Sequence, residues 1–216
     1  MHWIVLSKRA RYSAAFSLAA ALCFRALPAS AGPLASDLAI SYNGAWAGST
    51  PFATGTLAGY VDWAVYKAAD FPYTGAGYSP TPGELVYAYQ VYVTGSAVVS
   101  HFDVDLPNAG NNIGTFTTFG VVAPSATSIG PVASYDFHAP AIPTGSSSIG
   151  LAYSSNKVPQ DWFGSVIDTG QSTFVMPIPA PSNVNVPEPA AVTLLCIGTA
   201  VLVPLALRQR RGRYED

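Results

Sequence analysis

Apolar and polar side chains alternate along much of the chain, most clearly in the stretch GELVYAYQVYVTGSAVVSHFDVDLPN, residues 83–108. A period of two places alternate side chains on one face of a β-strand. Thr94-Gly95-Ser96 divides the stretch and has the residue types of a tight turn, which predicts a β-hairpin. Its apolar face would comprise Leu85, Tyr87, Tyr89, Val91, Val93, Val98, Phe102, Val104 and Leu106.

The same alternation predicts further strands on both sides of this hairpin. In TLAGYVDWAVYKA, residues 56–68, one face would hold Val61, Trp63 and Val65, and the other Tyr60, Asp62 and Tyr66. Four shorter candidates are Ile113–Val122, Ala133–His138, Ser148–Ser154 and Thr173–Met176. About seven short strands, with turns between them and no long helical period, indicate an all-β ectodomain over residues 32–176, folded as an antiparallel β-sandwich.

The first 31 residues have the three parts of a secretory signal peptide. Lys8, Arg9 and Arg11 form a basic stretch, and an apolar run of about 11 residues follows, roughly 16 Å long as a helix and too short to cross a bilayer. Small residues then occupy the positions that signal peptidase recognises. We therefore expect cleavage after residue 31, at the site formed by Ala29, Ala31 and Gly32.

The C-terminal end predicts a single transmembrane helix. Residues 190–207 contain no charged side chain, and as a helix they would be about 27 Å long. A basic tail follows directly, and the positive-inside rule would keep it in the cytoplasm. Its arginines are Arg208, Arg210, Arg211 and Arg213.

Charge is divided between the ends and the body of the chain. Residues 32–186 contain two basic and nine acidic residues, a net charge of −7, whereas the whole chain carries −2. An acidic body argues against nucleic acid as a partner, because phosphate binding requires a basic surface. Both cysteines, Cys23 and Cys196, fall in the apolar end segments, so we expect no disulfide in the ectodomain.

The segment Val186-Pro187-Glu188-Pro189, followed by an apolar span and an Arg-rich tail, resembles the PEP-CTERM sorting signal. This resemblance covers residues 187–213, and a Pro-rich stalk over residues 177–186 would precede it. It implies processing by an exosortase after export by the secretion machinery. It also implies a precursor in the inner membrane, then delivery to the cell surface or extracellular matrix, with extracellular polysaccharide as a further partner.

Two short patterns could provide metal ligands. His101-x-Asp103-x-Asp105 places three ligand side chains on one face of a strand, about 7 Å apart, and Asp136-x-His138 has the same form. The alternative is the solvent face of a half-buried strand, where alternate polar residues are expected in any case. We take this alternative as the expectation, and so predict no metal and no cofactor.

The sequence favours a binding or structural role over catalysis. No serine lies in a Gly-x-Ser-x-Gly motif, and we predict no catalytic residue. Trp46, Trp63, Trp162 and the twelve tyrosines of the chain could form a sugar-stacking platform or fill the core. The stretch VPQDWFGSVIDTGQS around Trp162 has the composition of a loop. The leading hypothesis is an exported, non-catalytic surface or matrix protein with a structural or adhesive role. The alternative is a carbohydrate-binding β-sandwich module, and the third is a secreted hydrolase.

Overall fold

The computed structural model describes residues 33–73, 77–168 and 170–186, and within them most of the backbone is β-strand. A single helical turn, α1 (Pro33–Ser36), and short 3₁₀ turns at Asp37–Ile40, Tyr42–Gly44 and Ala68–Asp70 accompany the strands. In the described ranges the strands are β1 (Ala47–Thr54), β2 (Leu57–Lys67), β3 (Leu85–Val93), β4 (His101–Asp105), β5 (Asn111–Phe116), β6 (Ala126–Ile129), β7 (Val132–Asp136), β8 (Gly150–Ser155), β9 (Lys157–Ile167) and β10 (Ser172–Asn185).

The strands form two five-stranded sheets. The first has the order β1-β2-β3-β8-β5 and the second β10-β9-β4-β7-β6. Every strand pair is antiparallel. The prediction of an all-β, antiparallel fold is therefore confirmed. No helix in the part of the chain that the structure describes is long and apolar enough to cross a membrane. The predicted signal peptide, 1–31, and transmembrane helix, 190–207, lie outside that part.

One hydrophobic cluster joins the inner faces of the two sheets. It includes β2, β3 and β8 from the first sheet and β4, β7, β9 and β10 from the second. The central residues predicted from alternation are all buried and belong to this cluster: Leu85, Tyr87, Tyr89, Phe102 and Val104. Period-two alternation thus identified the inward face of both β3 and β4.

Buried tyrosines link the two sheets through their hydroxyl groups. Tyr87 on β3 donates a hydrogen bond to the carbonyl oxygen of Lys157 (2.8 Å), and Tyr89 donates to that of Pro179 on β10. The Tyr89 hydroxyl also lies 3.0 Å from the Tyr153 hydroxyl. A tyrosine fills an apolar core with its ring and must find a polar partner for its hydroxyl group. The contacts of Tyr87 with β9 and of Tyr89 with β10 therefore tie the two sheets together, whereas Tyr153 belongs to the same sheet as Tyr89.

The outer face of the first sheet is also covered. A second cluster includes Leu34 from α1, Phe71 and Tyr78 from the segment between β2 and β3, and residues of β2 and β3. The carboxylate of Asp37 accepts hydrogen bonds from the hydroxyls of Tyr66 (2.6 Å) and Tyr73 (3.1 Å). This cover explains why both faces of β2 contain buried residues.

The predicted hairpin between residues 85 and 106 is wrong, because β3 and β4 lie in different sheets. The backbone N–H groups of Thr94 and Gly95 both donate to the carbonyl oxygen of Ala58, at 2.9 Å. The Thr94-Gly95-Ser96 turn therefore packs against the start of β2 and carries the chain from one sheet to the other. Alternation indicated the face of each strand but not its partner.

The predicted stalk, residues 177–186, is instead the continuation of β10, which pairs with β9 as far as Asn185. The loop-like stretch around Trp162 is likewise β9. Proline is tolerated here because β10 is an edge strand. Pro181 lies opposite Pro159, so that pair exchanges no ladder hydrogen bonds, and by alternation neither does Pro179 with Asp161. The backbone nitrogens of Pro179 and Pro181, which carry no hydrogen, therefore face away from β9.

Candidate functional site

The structure separates the predicted row of His101, Asp103 and Asp105. All three are half-buried on the outer side of β4. Asp103 accepts a hydrogen bond from the hydroxyl of Ser134 on the neighbouring β7, and Asp105 lies at the far end of the strand. His101 instead meets the second predicted pattern, Asp136 and His138. The ligand atoms of these last three residues all lie within 4.8 Å of one another, and we call them the His-Asp-His cluster.

Strand register brings the His-Asp-His cluster together. His101 begins β4 and lies directly opposite Asp136, the last residue of β7. His101 Nε2 is 3.7 Å from Asp136 Oδ1, and His138 Nε2 is 3.5 Å from the same oxygen. His138 follows two residues after Asp136, so an extended backbone returns its side chain to the same side. The two imidazole rings meet edge to face, with centroids 4.5 Å apart.

Hydrogen bonds on both sides hold the backbone of residues 136–138. The N–H of Phe137 donates to the carbonyl oxygen of Ser100 at 2.7 Å. On the other side, the Ser125 hydroxyl donates to the carbonyl oxygen of Asp136 (3.0 Å) and accepts the N–H of His138 (3.4 Å). The cluster therefore stands on fixed backbone, and only side-chain rotation is needed to adjust its geometry.

The cluster is half open to solvent. The side chain of His138 is 63% exposed, whereas those of His101 and Asp136 are 30% and 29% exposed. Two imidazole nitrogens and one carboxylate oxygen form a typical ligand set for a transition metal ion with room for water. The same groups could also form a hydrogen-bonded ionic cluster without a metal.

Ser100, His101 and Asp136 together have the residue types of a hydrolase triad, but not its accessibility. Ser100 Oγ lies 3.1 Å from His101 Nδ1. However, Ser100 is only 4% exposed, and its hydroxyl donates to the carbonyl oxygen of Ile167 at 3.1 Å. A nucleophile must reach substrate and give its proton to a base. Ser100 does neither in this arrangement, so its role here is to hold the His101 ring.

The predicted aromatic platform is not assembled from tryptophans. Trp46, Trp63 and Trp162 are partly buried and pack against the main core, and Trp63 Nε1 donates to Thr50 Oγ1 at 2.9 Å. Tyr60 and Tyr92 are half-buried and stack on each other, with ring centroids 4.6 Å apart and planes at 12°. Each ring covers one face of the other, so at most the outer face of each ring is left for contact with a sugar.

Most predicted sorting residues lie outside the described part of the chain. Val186 is its last described residue, and the Val186 N–H donates to the carbonyl oxygen of Asn156 at 2.8 Å. The remainder are outside: Pro187, Glu188, Pro189, Arg208, Arg210, Arg211 and Arg213 of the sorting signal, and Ala29, Ala31 and Gly32 of the cleavage site.

Comparison with known proteins yields no relative from which a function could be transferred. No family model matches the chain, and no curated protein or solved structure matches it. The function must therefore be inferred from the sequence motifs and the side-chain geometry described above.

Proposed function

We propose that the chain is an exported, non-catalytic protein of the cell surface or extracellular matrix, sorted by its C-terminal PEP-CTERM signal, with a structural or adhesive β-domain. The observation that carries this proposal is the order of three features at the C-terminus. Pro187-Glu188-Pro189 comes first, the uncharged residues 190–207 follow, and the basic residues 208–213 come last. A plain membrane anchor requires only the second and third of these features.

The position of the folded domain supports the proposal. The last strand, β10, ends at Asn185, and the motif begins within two residues of that end. Removal of the chain after Pro189 would leave all the described strands and the core cluster intact. The domain also contains no cysteine, so its stability does not depend on disulfide formation after export.

The distribution of charge supports a route through the membrane. Apart from Lys67 and Lys157, all lysines and arginines lie in the first 25 or the last nine residues, beside the apolar segments. Basic residues next to an apolar segment fix its orientation during insertion. The acidic body between them would then be the translocated part.

The sorting signal can be tested by replacing Pro187, Glu188 and Pro189 together with Ala in the native host. The wild-type protein should leave the membrane fraction, begin at Gly32, and lack about 3 kDa from its C-terminus, taking the mean residue mass of the chain. The triple variant should also begin at Gly32 but remain uncut and membrane-bound, because its span and arginines are unchanged. Intact mass and cell fractionation measure both properties.

A proline outside the motif provides the matched control. Pro179→Ala changes a proline of β10 and should be processed like the wild type. In a host without an exosortase, the wild-type protein should stay in the membrane. If the wild type and the triple variant had identical mass and fractionation in the native host, the C-terminus would be an ordinary membrane anchor and not a sorting signal.

A further inference from the structure

The His-Asp-His cluster contains a carboxylate oxygen without a hydrogen-bond donor. Asp136 Oδ1 is buried and has no hydrogen-bond partner within the described residues. An unsatisfied buried acceptor costs free energy, so native structures normally supply a donor, a water or an ion. Both neighbouring histidines present Nε2 toward this oxygen, at 3.5 and 3.7 Å. These distances are longer than the usual 2.7–3.2 Å of a nitrogen–oxygen hydrogen bond.

Ser100 determines which nitrogen of His101 carries the proton. The single proton of the Ser100 hydroxyl is donated to the carbonyl oxygen of Ile167. The same oxygen lies 3.1 Å from His101 Nδ1 and can therefore only accept a proton from that nitrogen. The neutral ring thus has its hydrogen on Nδ1 and a lone pair on Nε2. A lone pair of the neutral ring then faces the unpartnered oxygen of Asp136, and either a proton on Nε2 or a metal ion between the two atoms removes their repulsion.

The spacing of these atoms suits a bound metal ion. Two ligands about 2.0–2.2 Å from a shared tetrahedral zinc ion lie about 3.3–3.6 Å apart. The observed 3.5 Å from His138 falls in this range, and the 3.7 Å from His101 is slightly larger. The ligand atoms of the two histidines lie within 4.8 Å of each other, and rotation of the exposed His138 would bring them closer. The bond from His101 Nδ1 to Ser100 is also the type of contact that orients metal-binding histidines.

We propose that His101, Asp136 and His138 bind one Zn²⁺ ion, with an open fourth position that faces solvent. Imidazole nitrogen favours zinc and related transition metals, whereas Ca²⁺ and Mg²⁺ require mainly oxygen ligands. The ion joins the first residue of β4 to the last residue of β7 and to His138, two residues further along the chain. This site goes beyond the proposed sorting and surface role and does not depend on it.

The test measures zinc binding to the full chain, purified in detergent without an affinity tag and stripped with a chelator. Because thiolates are strong zinc ligands, Cys23 and Cys196 are replaced by Ser in every sample. Isothermal titration with Zn²⁺ should show one ion per chain, and zinc should raise the melting temperature, since it binds the folded state. No binding up to about 1 mM, well above the range of built protein metal sites, would overturn the proposal.

Variants then identify the ligands. His138→Ala should weaken zinc binding at least about tenfold, as should Asp136→Asn. His138 is exposed, so its replacement leaves the fold intact, and circular dichroism checks this point. Asp103→Asn, on the same strand face, and His2→Ala, the third histidine of the chain, should bind zinc like the wild type. Equal loss in Asp103→Asn, or unchanged binding in His138→Ala, would contradict the assigned site.

Discussion

The Tyr89 hydroxyl offers the sharpest test of how the two sheets are joined, and we predict that Tyr89→Phe destabilises the protein strongly for so small a change. Tyr89 is fully buried on β3. Its proton goes to the carbonyl oxygen of Pro179 on β10, so the Tyr153 hydroxyl must donate to Tyr89. Phenylalanine keeps the ring and the packing but removes the oxygen. Both Pro179 and Tyr153 then lose their partner in a water-free core.

The expected loss follows from these two unpaired groups. Leaving one buried polar group without a hydrogen bond costs about 1–3 kcal/mol. Two such groups predict a loss of about 3 kcal/mol in the free energy of unfolding, with some relief if Tyr153 finds another acceptor. The matched control is Tyr92→Phe, which removes a hydroxyl from a half-buried ring on the outer face of the same strand. We expect the control to change stability by less than about 0.5 kcal/mol.

Urea denaturation followed by circular dichroism measures these differences, and a double-mutant cycle tests their origin. Tyr153→Phe removes a donor that has no other role once Tyr89 is gone. Its cost should therefore be about 1 kcal/mol in the wild type, whereas in Tyr89→Phe the same substitution should recover about 1 kcal/mol, because it removes a buried hydroxyl that has no partner. Strict additivity of the two substitutions, or a loss below about 0.5 kcal/mol for Tyr89→Phe, would refute this account of the hydrogen bonds.

Two further predictions concern the core and its pH dependence. Phe102→Ala should lower the free energy of unfolding, measured by urea denaturation, by about 3–5 kcal/mol, because Phe102 is fully buried between the sheets. The control Phe174→Ala changes a side chain that is 69% exposed and should lower it by less than about 0.5 kcal/mol. Equal effects would contradict the burial of Phe102. Burial raises the pKa of Tyr78 to about 12, so its contribution to stability is full below about pH 10 and is lost as pH rises toward 12. Burial also raises the pKa of Tyr153 and Tyr135, so the free energy of unfolding should fall increasingly steeply above about pH 10. A flat profile between about pH 10 and pH 12 would be inconsistent with buried, protonated tyrosines.

Alternation in the sequence was sufficient to predict which side chains of β3 and β4 face the core. It could not predict that these two strands belong to different sheets, because the period of a strand says nothing about the strand that accepts its hydrogen bonds. Thr94-Gly95-Ser96 has the composition of a hairpin turn, yet its N–H groups bond to Ala58. The same turn residues can close a hairpin or connect two sheets, and tertiary packing against the start of β2 determines that they connect two sheets here.

The strand β9 was missed for a related reason. Pro159 and Gly164 interrupt the alternation, and both are residues that usually mark loops. In the structure Pro159 lies opposite Pro181, and a side chain at Gly164 would collide with the carbonyl oxygen of Asp103 on β4. Glycine at position 164 is thus required by a neighbour that is distant in sequence, and proline at position 159 is tolerated because its pair with Pro181 exchanges no ladder hydrogen bonds.

The His-Asp-His cluster was visible in the sequence only as two separate patterns. His101 and the pair of Asp136 and His138 each stood out as possible ligands. Their meeting depends on the register that places His101 opposite Asp136, a pairing across 35 residues. The predicted grouping with Asp103 and Asp105 followed the strand, whereas the observed grouping crosses between strands.

The edge position of β10 has a consequence for how copies of this protein behave when they are crowded together. An edge strand with free N–H groups can serve as a template for a strand of another molecule, which leads to aggregation. Proline at alternate positions, Pro177, Pro179 and Pro181, removes donors from that edge. The carbonyl oxygens of Pro177 and Pro179 are already bonded to the hydroxyls of Thr50 and Tyr89. Over residues 177–181 a neighbouring chain therefore finds fewer free backbone groups, which opposes fusion of one sheet into the next when copies are densely packed.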